Sequence, residues 1–128
     1  MQKSIKSDVL YKSSVAPAGN RTTSTNGTGV DLRGYGAALA IISSATITDG
    51  VHTPKLHESA DNSTFTDVAA GDLDGAFAAL ISDAVQQVGY KGKARYLRIV
   101  VTVTGSPATG GIYTAGVLRS EPTYAPVA

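Results

Sequence analysis

The sequence predicts an all-β fold: an antiparallel β-sandwich or jelly roll, with at most one short helix and extended terminal arms. Three observations predict it. Short segments rich in β-branched residues recur along the chain, each bounded by turn formers. Fourteen Gly and 26 Ser or Thr among 128 residues supply those turns. Helical spacing occurs in only one stretch, so strands must supply both layers around the core. The length fits a single domain, divided into an N-terminal arm (about 1–30), a sandwich core (about 31–119) and a C-terminal tail (about 120–128).

Each element has its own warrant. Residues 13–29 (SSVAPAGNRTTSTNGTG) hold one large apolar side chain, Val15, and read as an extended arm or long loop. Residues 37–48 (AALAIISSATIT) are the first core strand, and Asp49-Gly50 turns the chain. Residues 51–58 (VHTPKLHE) alternate, and Pro54, with no N–H to donate, marks an edge or interrupted strand. A turn at Asp61-Asn62 and a short strand at 64–68 complete a hairpin. Phe77, Leu80, Ile81, Ala84, Val85 and Val88 follow helical spacing, with Asp72 and Asp74 ahead of them, which predicts a short helix at about 74–82. A strand at 84–90, a turn at Lys91-Gly92 and the strongest strand, 95–104 (RYLRIVVTVT), read as a second hairpin. After a long Gly-rich turn, 112–119 (IYTAGVLR) returns as a strand, and Pro122 and Pro126 keep the tail extended.

Composition excludes several classes. There is no Cys, hence neither a disulfide scaffold nor a Cys-ligated zinc site. No apolar run approaches the ~18 residues of a membrane helix, and the lysine-bearing N-terminus lacks the apolar stretch of a signal peptide. The net charge of +1 is too small for a dedicated nucleic-acid binder. It is, however, unevenly spread. Residues 49–83 carry seven acids and one base, a net of −6, and the rest of the chain carries ten bases and three acids, a net of +7.

Catalytic and metal signatures do not emerge. His52 and His57 have opposite strand parity, so they point to opposite faces and read as solvent-facing, not as metal ligands. No nucleophile elbow is present, and Gly34-Tyr35-Gly36 lacks the remainder of a phosphate loop; its glycines serve to turn the chain into the next strand. The expectation is a protein that is not an enzyme and that needs no metal, cofactor or small-molecule substrate. Charge instead marks binding zones, because complementary charge sets register and specificity. The candidates are Lys3, Lys6, Lys12 and Arg21 on the arm, Tyr124 and Pro126 in the tail, and Lys91, Lys93 and Arg95 beside the strongest strand.

Three segments, LHESADNSTFTDV, GYKGKARYLRIVVTVTG and GIYTAGVLRSEPTYAPV, resemble a family of small proteins of tailed bacteriophages, the auxiliary capsid (decoration or cement) proteins. The resemblance covers roughly residues 30–128. It implies a β-sandwich that binds the outside of the major capsid protein shell and stabilises it, as a homo-dimer or homo-trimer, on virions assembled in the host cytoplasm. It implies no nucleic-acid or membrane partner. Two alternatives stand beside it: a head–tail connector or tail structural protein, and a carbohydrate-binding jelly-roll adhesion module. The absence of Trp counts against the second alternative, since sugar sites usually present an exposed aromatic platform.

Overall fold

The computed structural model describes residues 4–123. Ten strands form two five-stranded antiparallel sheets packed face to face, as the sequence predicts. The strands are β1 (Val9–Val15), β2 (Thr25–Asn26), β3 (Val30–Asp31), β4 (Tyr35–Ile47), β5 (Val51–Ser59), β6 (Thr66–Asp67), β7 (Leu73–Asp74), β8 (Val85–Tyr90), β9 (Tyr96–Thr104) and β10 (Gly111–Pro122). The first sheet runs β1-β10-β4-β8-β7. The second runs β2-β9-β5-β6, with β3 also paired to β9. Inward residues alternate along each strand: Ala40 and Ile42 on β4 and Tyr113, Ala115 and Val117 on β10 meet Leu56 on β5 and Leu97, Ile99 and Val101 on β9.

The proposed arm is not free. Its first half is β1, paired with β10 from Val9↔Ser120 to Val15↔Ala115. Val15 is buried, and Ser14 joins the sheets: its hydroxyl donates to the Thr28 carbonyl (2.8 Å) and accepts the Ile99 N–H (3.1 Å). Composition hid this because one buried Val and one bridging Ser suffice to anchor an otherwise polar segment. The tail begins later than expected, since β10 runs through residues 120–122.

The predicted helix at 74–82 is absent. A single 3-10 turn (Ala70–Asp72) precedes β7, and residues 75–84 form a loop across the open end between the sheets. Its backbone finds partners outside itself: Leu80 N–H donates to the His52 carbonyl (2.8 Å), and Asp83 N–H to the Ala45 carbonyl (2.8 Å). The Gln86 amide pairs with both backbone groups of Ala78. Leu80 is buried, but Ile81 and Val85 are exposed, so the helical spacing does not describe one buried face.

Two further expectations need correction. Lys91-Gly92 is not a hairpin turn, because β8 lies in the first sheet and β9 in the second; residues 91–95 carry the chain between layers. His52 does not face solvent. It is fully buried, opposite in parity to the half-buried His57. Its Nε2 lies 3.0 Å from the Asp49 carbonyl and its Nδ1 3.2 Å from the Tyr113 hydroxyl. A carbonyl only accepts, so in the neutral ring Nε2 carries the proton and Nδ1 accepts the Tyr113 O–H. Pro54 sits as anticipated: the carbonyls of Leu56 and His52 face loop amides, away from β9, and the position lacking an N–H falls on that same side.

Carboxylates organise the turns. Asp49 accepts the backbone N–H groups of Gly110, Ala108 and Thr109, which holds its pKa below the ordinary value, chiefly through Gly110. Asp61 caps the β5–β6 turn by accepting from Thr64 and Ser63, with the same direction of shift. A carboxylate whose folded pKa is depressed stabilises the fold above its unfolded value of about 3.9. That stability is lost as pH falls through the folded value. The melting temperature is therefore expected to fall as pH drops below about 4. Asp49→Asn, compared with wild type in the same pH series of melting curves, should flatten that fall.

Candidate interaction surface

At one end of the sandwich the chain enters β4 through residues 32–36 and crosses between sheets through residues 91–95. These two segments border a cleft of about 390 Å³. Gly34, at φ +89°, makes the turn that side chains rarely allow. Leu32 N–H donates to the Arg95 carbonyl (2.7 Å) and ties the two walls together.

Cationic side chains dominate the rim. Arg33, Lys91 and Lys93 are exposed. Arg95 is committed to Asp31 in a two-pronged pair, Nε to Oδ1 at 3.0 Å and Nη2 to Oδ2 at 2.9 Å. The hydrogen bond from Arg95 is the main cause that holds the Asp31 carboxyl below the usual range. Arg119 donates to the Asp31 carbonyl (3.0 Å) and stacks 4.7 Å from the Tyr35 ring centroid. Tyr90 forms the floor. Its hydroxyl donates to Glu58 (2.6 Å) and accepts the Ala94 N–H (3.0 Å); burial, then the Glu58 bond, pushes its pKa up to about 12. The result is a pre-shaped cleft lined by Arg33 and Lys93, with Lys91 beside it, an aromatic wall, and one carboxylate, Glu121, against Gly36; its mainly positive rim suits an acidic surface or segment.

The sequence-predicted binding residues divide among several places. Lys93 and Arg95 line this cleft and Lys91 adjoins it, although Arg95 is half spent on Asp31. Lys6 and Lys12 are exposed around β1, remote in the chain from the cleft segments. Arg21 is not a free binding residue. Its guanidinium folds back on the Ala16 carbonyl and Thr25 and lies 5.7 Å from the Tyr113 ring centroid, so it braces the loop after β1. Lys3, Tyr124 and Pro126 lie outside the described residues. Arg33, Tyr35 and Arg119 are absent from the sequence-predicted set, yet they sit at this end of the fold. Gly34-Tyr35-Gly36 was the available signal, but only the fold brings residue 119 beside residue 35 through the Tyr35↔Pro122 end of the β4–β10 ladder.

The histidines make no metal centre. His57 lies 2.8 Å from Asp67 on the outside of the second sheet, and no group of three His, Cys, Asp or Glu is placed to hold an ion among the described residues.

Among solved structures, the chain is similar to the SPBc2 prophage-derived protein YomS. The two share 15% identity with a TM-score of 0.52, over 88% of this chain and 94% of YomS. At that identity the likeness shows the fold alone. No family model and no curated protein matches the chain.

Proposed function

We propose that this chain is a structural protein of a tailed-bacteriophage particle that decorates the outer surface of the major capsid protein shell and strengthens it. The observation that supports this reading most is the fold shared, nearly end to end, with a prophage-derived protein. The cleft supports it further. Arg33, Lys91 and Lys93 offer charge to an acidic patch of the shell, and no reactive group is required for that role. Repetition on a lattice turns modest individual contacts into firm attachment through effective concentration.

Purified particles provide the test. A copy number comparable with that of the major capsid protein supports decoration, and absence from particles overturns it. A low, ring-like copy number would instead assign the chain to the head–tail connector. Within the decoration reading, Lys91→Glu with Lys93→Glu should weaken binding to particles about tenfold or more, since like charge facing like charge costs several kcal/mol at a contact. Wild-type binding should weaken as salt rises. Co-sedimentation of protein with undecorated particles reads both effects.

A further inference from the structure

The two outward faces of the sandwich differ in kind. The second sheet turns Lys55, His57 and Arg98 outward, opposite Leu56, Leu97 and Ile99 in the core, as the register of β5 and β9 dictates. The first sheet has no such charges. Its ladders align outward positions in rows: Tyr11↔Leu118↔Leu39↔Gly89 and Gly116↔Ile41↔Gln87. The other outward positions of these four strands include Val9, Ile112, Thr114, Ala37, Ser43 and Val85, none of them charged, and the Leu39 row ends on Asp74 of the short rim strand β7. Tyr11 is 46% exposed and Val85 65%. Towards the far end the face dips into a shallow uncharged dent of about 160 Å³, between Pro17, Ala18, Ala45 and Ile112.

We propose that this face is where a second copy of the chain docks, sheet against sheet about a two-fold axis. Three features select that occupant. A two-fold contact brings each patch against itself, so it requires a face without like-charge conflict, and an uncharged face meets the condition. Its size also fits. Four strands about 4.8 Å apart and about nine residues long cover roughly 600 Å² in projection, close to the ~800 Å² that each partner of a standard interface buries. Finally, the face carries a preset anchor. Gly116 has no side chain, and the Tyr11 ring lies in the space that a Cβ would take, so an aromatic is held flat across the sheet in the open.

Pairing along the sheet edge is the less suitable mode. Thr28 occupies the C-terminal half of the β1 edge, its N–H donating to the Ser14 carbonyl (2.8 Å) and its hydroxyl to the Ser13 carbonyl (3.4 Å). Lys12, exposed on the same strand, further discourages an added strand.

Sedimentation velocity of the full chain across a concentration series tests the proposal. The expected result is a reversible monomer–dimer equilibrium that changes little with salt, because no charge lies in the contact. Tyr11→Lys and Val85→Lys should each raise the dimer Kd about tenfold or more. Val51→Lys, exposed on the other sheet, should leave it unchanged. Circular dichroism checks that the variants fold, and if a Lys variant does not, Tyr11→Ser and Val85→Ser replace it and should weaken the dimer in the same order. A wild-type monomer at every concentration, a trimer, or a dimer indifferent to these substitutions overturns the proposal. No particle enters the measurement, so its failure would leave the decoration reading standing.

Discussion

Deletion of residues 1–20 is expected to unfold the protein or leave it molten, and not simply to release a tether. The deletion removes β1 and bares the length of β10 that it pairs with. It removes Val15, whose burial contributes roughly 2 kcal/mol. It removes Ser14, whose hydroxyl accepts the buried Ile99 N–H, and an orphaned buried donor costs about 1–3 kcal/mol. The lost ladder adds to both. Against a domain stability of about 5–15 kcal/mol, the remainder is marginal. Deletion of residues 1–7, which stops short of the strand, should change stability by less than about 1 kcal/mol. Urea unfolding followed by circular dichroism distinguishes the two truncations. Loss of particle binding by the longer truncation would therefore reflect loss of fold, and Lys12→Glu is the cleaner probe of this segment's charge.

Tyr113→Ala is expected to cost about 4 kcal/mol, among the largest effects of any single substitution. Tyr113 is among the largest fully buried side chains. It meets the His52 ring edge-on at 5.4 Å, lies beneath the Arg21 guanidinium and donates its hydroxyl to His52 Nδ1. Truncation leaves a cavity and strands a buried ring nitrogen. Tyr113→Phe removes only the donor and should cost about 1–2 kcal/mol. Urea midpoints of the two variants measure the difference. A Phe variant as unstable as the Ala variant would mean that the hydrogen bond, and not the packing, dominates.

This pair of residues shows how far local reading reaches. Strand parity alone put His52 and His57 on opposite faces, and the ladders agree. Parity does not say which face is covered. Both histidines therefore read as solvent-facing, whereas the first sheet lies over His52 and supplies Tyr113 from 61 residues away. The cleft follows the same rule. Lys91, Lys93 and Arg95 were legible because they are neighbours in the chain. Arg33 and Arg119 join them only because β3 pairs with β9 and β10 pairs with β4. The apolar outer face left one legible trace. In β4, residues 37–42 are apolar at every position and not at alternate ones, the mark of a strand covered on both sides.

The sequence by itself determined the all-β class and the positions of the long strands β4, β5, β9 and β10, because β-branched content, period-two alternation and turn residues are local properties. It also determined where charge concentrates. Only the tertiary structure decided that β8 and β9 part into different sheets, that residues 75–84 close the sandwich as a loop, and that the polar N-terminal segment is an edge strand. Each of those outcomes turns on which distant backbone groups are left to pair. A buried N–H or carbonyl must find a partner wherever the assembled sheets provide one, and spacing along the chain does not encode that location.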